Sequence, residues 1–504
     1  MATTPDRDAS VVCVDAGTSL IKAVRYDAAG RELAVERRPT VVSTFPDGRS
    51  EQDMDEVWAA VADAVRAVSA PDPRAVRAIA LTAQGDGAWL VDRAGRPVRP
   101  AVLWNDARAA SVVERWRAAG VLDEAFRRTG SLGNSGLPHA ILQALRQTEP
   151  AAVTAAHAAL TCGGWLFLQL TGVLGVDRSD ASAPWIDQRS GTCAPDLAEL
   201  YGLADLAHLV PPMIEDERRV QPLTADAAIK TALPPGIPVV LAPYDIATTA
   251  IGSGATTPGE AVSILGTTLC TETIIGLPDA VPGPGAVPTG LTLDLGLGGI
   301  ALRAFPTLAG TGVVDWLTAL LGLPDAVAVA TLAAEAPPGA DGVTVLPYLS
   351  PAGERAPFLA PAARGVINGL SFAHGPAHLA RATLEGLAHV VRDCLEAAPA
   401  GRPDDPLHLC GGGAASDLWS QIIADVTGRT VARTADSQVG AKGALVVAAT
   451  ALGDEPDLAS AAAHLVRERD RLAPDQRRRA LHDERHEQFL QFRALAVPGG
   501  GADA

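Results

Sequence analysis

Residues 11–20 read V-V-C-V-D-A-G-T-S-L, and residues 261–269 read A-V-S-I-L-G-T-T-L. Each stretch is an apolar, strand-like run that breaks into a glycine followed by two hydroxyl residues. Gly17 and Gly266 lie 249 residues apart in a chain of 504, close to half its length. Glycine permits a left-handed turn and a close approach of backbone N–H groups to an anion. The repeat predicts a duplicated fold whose two turns face each other across a cleft and bind the phosphates of ATP.

Length, charge and cysteine content exclude several classes of protein. A chain of 504 residues is too long for one core and should divide into at least two domains. The 41 basic and 58 acidic residues leave a net charge of −17, which argues against a nucleic-acid or membrane partner. The six cysteines include no C-x-x-C pair, so a reduced cytoplasm fits better than a disulfide framework. Residues 151–176 carry no charge, but His157, Gln169 and several glycines favour a buried helix of a soluble protein.

The first Gly-Thr phrase has an acidic residue before it and a basic residue after it, since residues 15–22 read D-A-G-T-S-L-I-K. A carboxylate at a strand end beside a phosphate-binding turn can hold Mg²⁺ directly or through water, so Asp15 is the candidate metal ligand. An ordinary β-turn with an aspartate is the alternative, and the second copy of the phrase weighs against it. The chain has neither a G-x-x-x-x-G-K-[ST] loop nor a G-x-G-x-x-G motif, so a P-loop or dinucleotide fold is not indicated.

Asp245 follows the apolar run 237–242 and precedes small residues that predict a helix start. An aspartate at the mouth of a cleft, near a helix N-terminus, can accept a proton from a substrate hydroxyl. A simple helix cap is the alternative. A second strand-to-helix junction carries consecutive small residues that could let a flat ligand lie on the backbone, although a tight turn explains them equally well: Gly411, Gly412, Gly413 and Ala414.

Polar residues and a tryptophan follow the predicted strand at residues 78–82 and the hairpin after it. Hydroxyl groups of a polyol or sugar need polar partners, and its C–H faces pack on an indole ring. A surface loop with a core tryptophan is the alternative. The candidate substrate contacts, with Asp245, are Gln84, Asp86, Trp104 and Asp106.

These features together resemble the FGGY carbohydrate kinase family. The strongest match is G-V-I-N-G-L at residues 365–370, followed after seven residues by H-L-A-R-A-T-L-E at residues 378–385. Supporting phrases are E-Q-D at 51–53, L-W-N-D-A-R at 103–108, D-A-S at 180–182, L-P-Y at 346–348, G-E-R-A-P-F at 353–358 and S-Q-I-I-A-D at 420–425. The resemblance extends from about residue 11 to residue 453.

The resemblance implies an α/β fold of the duplicated actin-like and hexokinase-like (ribonuclease H-like) ATPase type, with two lobes and a central cleft. The N-terminal lobe would span residues 1–246 and bind the sugar, the C-terminal lobe 247–490 would bind adenosine, and residues 491–504 would be a tail, disordered from residue 498. ATP and Mg²⁺ are the implied cofactors. A small polyol or sugar is the implied partner, a homodimer is compatible with the family, and the location would be cytoplasmic.

The resemblance also implies a role for each candidate residue. Asp245 would be the catalytic base, and Asp86 stands where glycerol kinases have a glutamate and pentulose kinases a histidine. The ATP contacts would be Gly17, Thr18, Ser19, Lys22, Gly266, Thr267, Thr268, Gly411, Gly412, Gly413 and Ala414, and a further glycine expected near position 311 is left unassigned.

Two departures from the family pattern bear on the substrate. Ile246 follows the base, where glycerol kinases have glutamine and pentulose kinases asparagine, so one polar contact is missing. The phrase A-Q-G-D-G at residues 83–87 differs from the G-Q-M-H-G of pentulose kinases. The chain looks most like the erythritol-kinase branch, with L-xylulose kinases further off. We therefore expect ATP-dependent phosphorylation of a tetritol or pentitol, with a pentulose kinase as the alternative and a nucleotide-binding scaffold as a third reading.

Overall fold

Two sheets, one in each half of the chain, organise the structure, which is a computed structural model describing residues 9–398 and 404–497. The strands of the N-lobe sheet are β1 (Ser10–Ala16), β2 (Leu20–Tyr26), β3 (Glu32–Pro39), β4 (Val76–Ala83), β5 (Val220–Pro222) and β6 (Pro238–Leu241). The strands of the C-lobe sheet are β7 (Ala261–Leu265), β8 (Leu269–Gly276), β9 (Leu291–Leu297), β10 (Ile300–Pro306), β11 (Leu407–Cys410), β12 (Val431–Thr434) and β13 (Glu468–Leu472).

The two sheets repeat one topology. Their strand orders are β5-β6-β4-β1-β2-β3 and β9-β10-β8-β7-β11-β12-β13. In each sheet the strand before the Gly-Thr loop, β1 or β7, pairs antiparallel with the next strand and parallel with a later one, β4 or β11. A second parallel strand, β6 or β12, and an antiparallel edge strand, β5 or β13, complete the pattern. The duplicated α/β fold is therefore confirmed.

Helices cover these sheets, and short strands lie in the connections. The helices are Met54–Ser69, Ala110–Ala118, Val121–Thr129, Pro138–Thr148, Pro150–Ala155, Cys162–Thr171, Arg178–Trp185, Pro195–Leu200, Ala225–Thr231, Asp245–Gly252, Thr311–Leu321, Ala326–Ala333, Pro376–Glu396, Asp417–Thr427, Val439–Ala451, Leu458–Leu465 and Arg479–Ala496. The short strands are Ser43–Thr44, Ser50–Gln52, Trp89–Val91, Ala101–Val102, Ala158–Leu160, Ile186–Asp187, Thr192–Cys193, Thr344–Leu346 and Val366–Asn368.

Local sequence explains where several helices begin. Asp53 accepts a hydrogen bond from the backbone N–H of Glu56 and caps the helix Met54–Ser69, whose valines pack into the N-lobe core. Ser416 caps the helix Asp417–Thr427 in the same way, through the backbone N–H of Trp419. The last helix runs through residues 491–496 of the predicted tail, and residues 498–504 lie outside the described residues.

Two helices from different halves of the chain pack closely where the lobes join. A Cβ on Gly252 would lie 2.0 Å from the carbonyl oxygen of Val439, and one on Gly443 would lie 1.8 Å from that of Thr248. Only glycine permits such an approach between the helices Asp245–Gly252 and Val439–Ala451. The lobe boundary predicted at residues 246 and 247 falls inside the first of these helices, because β6 ends at Leu241 and the joint follows it.

Within the described ranges, no single helix is long and apolar enough to cross a membrane. The helices Thr311–Leu321 and Ala326–Ala333 reach that length only as a pair, and they are bent by 82° relative to each other. Both contribute side chains to a cavity of the C-lobe. The uncharged stretch at residues 151–176 contains the helix Cys162–Thr171, most of which is buried, as predicted.

Candidate active site

Three aspartates lie at, or shortly after, the carboxyl ends of three neighbouring parallel strands of the N-lobe sheet. Asp15 lies near the end of β1, Asp86 follows β4 and Asp245 follows β6. β1 pairs parallel with β4, and β4 pairs parallel with β6, so the three strand ends share one edge of the sheet. Ligands of open α/β sheets bind beyond the carboxyl ends of the parallel strands. This edge is therefore the candidate active site.

Burial and mutual repulsion favour the neutral, protonated forms of the aspartates in this site. Burial, followed by the negative charges of Asp15 and Asp86, raises the pKa of Asp245 to about 7, and Lys22 opposes this shift. Burial likewise raises the pKa of Asp86 to about 7, against the positive charge of Arg355. A carboxylate whose pKa lies near 7 can both take and release a proton at neutral pH.

Asp245 is the first residue of its helix, and one of its oxygens is used locally. Oδ1 accepts a 2.8 Å hydrogen bond from the backbone N–H of Ile246, whereas Oδ2 has no hydrogen-bond partner among the described residues. The capping position itself belongs to Tyr244, whose side chain makes no cap hydrogen bond. The geometry thus leaves one carboxylate oxygen of Asp245 available to a ligand.

The register of β1 and β2 brings Asp15 and Lys22 together. The two residues are antiparallel partners, and Nζ of Lys22 lies 3.2 Å from Oδ2 of Asp15. The helix Val439–Ala451 passes the same carboxylate, since a Cβ on Gly440 would lie 3.1 Å from Oδ2. Mg²⁺ usually keeps several waters and takes only one or two protein carboxylates beside the nucleotide phosphates. A carboxylate that is still partly exposed, as Asp15 is, fits that coordination.

Neither Gly17 nor Gly266 has the left-handed backbone that the turns suggest. Close packing explains both glycines instead. A Cβ on Gly17 would lie 3.0 Å from the carbonyl oxygen of Leu20, and one on Gly266 would lie 3.3 Å from that of Thr268. Ser19, Thr267 and Thr268 are exposed in these loops.

The side chain of Thr18 contacts two of the candidate substrate-binding residues. Its hydroxyl donates to Oε1 of Gln84 at 2.7 Å and accepts from Nε1 of Trp104 at 3.0 Å. Nε2 of Gln84 donates in turn to Oε1 of Gln52 at 2.8 Å. Trp104 remains 40% exposed. We name Gln84, its neighbour Asp86 and Trp104 the acceptor wall, after the substrate contacts that the sequence predicts.

Asp106 lies behind this wall and not on it, contrary to the role expected from its sequence position. Its side chain is fully buried, and Oδ2 accepts a 2.7 Å hydrogen bond from the backbone N–H of Ser50. Oδ1 accepts from the backbone N–H and Nε of Arg108, whose guanidinium also pairs with Glu51. A carboxylate with both oxygens occupied and no exposed surface supports the loop of Trp104 but has no oxygen left for a substrate.

A cavity of about 900 Å³ brings the second Gly-Thr loop and the glycine run together. Gly266 and Thr267 line it together with apolar side chains that include Val314, Leu384 and Trp419. An apolar cavity of this size with a few polar groups suits an aromatic base linked to phosphates.

The four residues of the glycine run have different places. Gly411 has φ of +83°, and a Cβ on it would lie 2.8 Å from the carbonyl oxygen of Leu265. A Cβ on Gly413 would lie 2.5 Å from Cζ3 of Trp419. Only Gly412 and Gly413 line the cavity, and a Cβ on Gly412 would meet no atom within 4 Å. Packing therefore explains Gly411 and Gly413, and Ala414 is buried away from the cavity.

Position 311, left unassigned from the sequence, is a threonine between two glycines that pack on the second Gly-Thr loop. Thr311 lines the cavity, and its backbone N–H donates to the carbonyl of Gly266 at 2.9 Å. A Cβ on Gly310 would lie 2.5 Å from Cα of Thr268. Gly310 and Gly312 are therefore the two candidates for the single glycine expected near this position.

Sequence reasoning did not single out three charged residues near the candidate site, of which Arg355 and Glu272 belong to the C-lobe and Asp180 to the N-lobe. Arg355 lies within the G-E-R-A-P-F phrase, and its positive charge opposes the rise that burial causes in the pKa of Asp86. Glu272, on β8, is 1% exposed, and its pKa is raised first by burial and also by the charge of Asp245. Asp180 has a pKa raised mainly by burial, and its Oδ2 accepts from Thr161 at 2.7 Å. A charged residue within an apolar strand was the available signal for Glu272.

Comparison with known proteins identifies relatives along nearly the whole chain. An erythritol kinase of Brucella abortus (strain 2308) is 34% identical over 464 residues, covering 88% of each chain. A xylulose kinase of Escherichia coli (strain K12) is 29% identical over 495 residues, covering 96% of this chain and 99% of the relative.

Solved structures agree with this relationship. The crystal structure of a xylulose kinase from Rhodospirillum rubrum superposes with a TM-score of 0.85 at 28% identity, covering 96% of this chain and 98% of that one. The models for the N-terminal and C-terminal domains of the FGGY family of carbohydrate kinases match residues 10–252 and 261–452. With its duplicated sheets and its aspartates at one sheet edge, the chain belongs to the FGGY family of carbohydrate kinases.

Proposed function

We propose that this carbohydrate kinase transfers the γ-phosphoryl group of ATP to a terminal hydroxyl of a small linear polyol, a tetritol or a pentitol. The observation that carries the proposal is the set of three aspartates at one sheet edge, beside a wall with an exposed indole. The erythritol kinase relative supports a polyol as acceptor.

In this proposal Asp245 orients the acceptor hydroxyl and accepts its proton. The hydroxyl oxygen then bonds to the γ-phosphorus while the bond from phosphorus to the leaving oxygen of ADP breaks. Phosphoryl transfer depends mainly on positioning and on neutralising charge. Backbone N–H groups of the two Gly-Thr loops and Nζ of Lys22 would provide positive potential for the phosphates.

The nucleotide would lie in the 900 Å³ cavity, with its base against the apolar walls and its phosphates toward Gly266 and Thr267. Asp15 would hold Mg²⁺, which supplies charge neutralisation on the phosphates when bound. A cytoplasmic location and a homodimer remain parts of the proposal.

A pentulose is the second candidate acceptor, and the xylulose kinase relative favours it. Two positions favour the polyol, because Asp86 and Ile246 stand where the pentulose-kinase pattern has histidine and asparagine. A scaffold role is disfavoured, because a scaffold does not need an aspartate with a pKa near 7 beside a wall that would bind hydroxyl groups.

Turnover in a coupled ADP-release assay tests the proposal directly. The panel contains erythritol, threitol, ribitol, xylitol, arabitol, D-xylulose and L-xylulose, each with ATP and Mg²⁺. We expect kcat/KM for the best polyol to exceed that for either pentulose by at least about tenfold, which corresponds to about 1.4 kcal/mol. A higher kcat/KM for a pentulose than for any polyol would favour the second candidate acceptor. ATP binding without any phosphorylated product would refute both candidates.

A further inference from the structure

A second cavity, of about 330 Å³, lies between the lobes. The N-lobe contributes the loop at residues 132–135, and the C-lobe contributes Leu291, Pro306 and Arg355. The helix Ala110–Ala118 of the N-lobe also lines it, with the charged residues Glu114 and Arg117, and the polar side chains of the loop are Asn134 and Ser135. Within the described ranges the amide nitrogen of Asn134 and the hydroxyl of Ser135 have no protein partner. The cavity therefore offers both apolar surface and unused hydrogen-bonding groups.

This cavity adjoins the acceptor wall. The backbone N–H of Gly87, the neighbour of Asp86, donates to the carbonyl of Gly136 at 2.9 Å. Gly136 also packs on Trp104, since a Cβ on it would lie 1.7 Å from the tryptophan carbonyl oxygen. Gly136, directly after the loop that lines the cavity, thus contacts Trp104 of the acceptor wall and the neighbour of Asp86.

Arg355 lines the cavity, its positive charge acts on Asp86, and its position is held firmly. Nε of Arg355 donates to the carbonyl of Pro306 at 2.8 Å, and its backbone N–H donates to Oε1 of Glu354 at 2.9 Å. Glu354 is 1% exposed and also accepts from the backbone N–H of Leu308 at 2.7 Å. In the part of the chain that the structure describes, Nη1 and Nη2 of Arg355 have no protein partner. The end of the guanidinium is left for a ligand.

We propose that the cavity is a distal acceptor subsite, in which Arg355 donates hydrogen bonds to the end of the substrate remote from the phosphorylated hydroxyl. This inference rests on the proposed function and deepens it, because it names neutral linear chains of five or more carbons as the preferred acceptors. Glu114, Arg117 and Arg355 put charges of both signs on the cavity lining, which suits neutral hydroxyls better than a carboxylate. Asn134 and Ser135 supply further partners for those hydroxyls.

The size of the cavity fits this assignment. Its volume lies at the lower end of the range for small-molecule sites, which leaves room for one or two extra hydroxymethylene groups. A four-carbon chain reaching from Asp245 past Asp86 would leave the cavity to water. A longer chain would replace that water with hydrogen bonds to the protein.

Chain-length kinetics test the inference with the full-length protein. The acceptors are the all-erythro polyols erythritol, ribitol and allitol, together with ribonate as an anionic probe. For the unmodified chain we expect kcat/KM for ribitol to exceed that for erythritol by about tenfold, and ribonate to be the poorer of the two five-carbon acceptors.

Two variants and one control separate the subsite from general damage. Ser135→Phe fills the cavity and should lower the ribitol-to-erythritol ratio of kcat/KM by at least about tenfold. Arg355→Met should raise KM for ribitol by about tenfold, on the scale of a charged hydrogen bond, with a smaller change in kcat and in KM for ATP. Arg115→Gln, on the exposed side of the helix Ala110–Ala118, is the matched control. Thermal melting checks that each variant is folded.

The outcomes distinguish this inference from the proposed function. If the unmodified chain phosphorylates none of the polyols, the proposed function itself fails. If it phosphorylates erythritol and ribitol equally, and both variants leave their ratio unchanged, only the distal subsite is refuted. A preference for ribonate over ribitol would overturn the assignment to neutral chains. Should Ser135→Phe not fold, the effect of Arg355→Met on KM decides.

Discussion

The hydroxyl of Thr18 donates a 2.7 Å hydrogen bond to Oε1 of Gln84, which joins the first Gly-Thr loop to the acceptor wall. The same hydroxyl accepts from Nε1 of Trp104 at 3.0 Å, so a single side chain orients two residues of that wall. The loop expected to bind phosphate is thereby connected to the surface expected to bind the acceptor.

Thr18→Val should therefore weaken acceptor binding more than nucleotide binding. The variant keeps the shape of the side chain and removes both hydrogen bonds, each of which contributes about 1 kcal/mol. We expect KM for the acceptor to rise about tenfold and KM for ATP to change less than threefold in steady-state kinetics. Thr154→Val, whose hydroxyl bonds only within the helix Pro150–Ala155, is the control. A larger effect on ATP than on the acceptor would contradict the placement of this side chain.

Asp245→Asn should abolish most turnover while leaving ATP binding intact. The amide keeps the size of the side chain but cannot accept the proton of the acceptor hydroxyl. Loss of a general base usually lowers the rate by about 10²–10⁴-fold, and we expect kcat to fall within that range. Isothermal titration with a non-hydrolysable ATP analogue should give a Kd within about threefold of the unmodified chain. Turnover close to that of the unmodified chain would remove Asp245 from the mechanism.

The pH dependence of kcat/KM should report the charge of Asp245 and its coupling to Asp86. Because burial and neighbouring carboxylates raise the pKa of Asp245 to about 7, kcat/KM should rise as pH increases through that value. In Asp86→Asn one negative neighbour is absent, so the rise should occur at lower pH. Rate measurements between pH 5.5 and 9 compare the two proteins. An inflection at higher pH in Asp86→Asn would contradict the coupling.

Sequence patterns predicted those parts of the site that depend on strand ends and loops. The places of Asp15, Asp86 and Asp245 follow from strands recognisable as apolar runs ending in polar residues. The sequence could not predict why positions 17 and 266 carry glycine. A side chain there would crowd the carbonyl oxygen of a nearby residue, whereas the φ angle at neither position requires glycine. Asp106 was misassigned because its ion network joins residues about fifty positions apart in the chain.

Sequence patterns could not predict the contacts between the lobes. Arg355 acts on Asp86 only after the two lobes, far apart in the chain, have come together. Gly252 and Gly443, which permit the contact between the joint helices, show no local feature that distinguishes them from turn glycines. Pairings of this kind depend on tertiary geometry, which no periodicity in a single sequence encodes.

Gly412 and Gly413 should respond differently to side chains, although they are neighbours. Gly412→Val adds a side chain in open space at the nucleotide cavity, so we expect a folded protein with KM for ATP raised about tenfold or more. Gly413→Val must displace Trp419 and should lower the melting temperature, since overpacking a core costs about 1–3 kcal/mol. Melting curves and ATP kinetics together measure both effects. Equal nucleotide affinity in Gly412→Val and the unmodified chain would exclude Gly412 from the ATP site.

Glu272→Gln should stabilise the protein increasingly as pH rises. Within the described residues Oε2 of Glu272 has no hydrogen-bond partner, and Oε1 accepts from Sγ of Cys270 at 3.2 Å. Burial raises the pKa of this carboxyl well above its usual range, so its protonated form is favoured in the folded state. A raised folded pKa gives stability that is complete below the unfolded pKa of about 4.3 and is lost as pH rises through the folded value.

The neutral amide of Glu272→Gln has no such loss. We therefore expect the difference in Tm between variant and unmodified chain to widen by at least about 2 °C from pH 5 to pH 9. Differential scanning calorimetry at three pH values measures it, with Glu335→Gln at an exposed position as the control. A difference that stays constant with pH would mean that folding leaves the pKa of Glu272 unchanged, and that its burial beside Asp245 has no electrostatic cost.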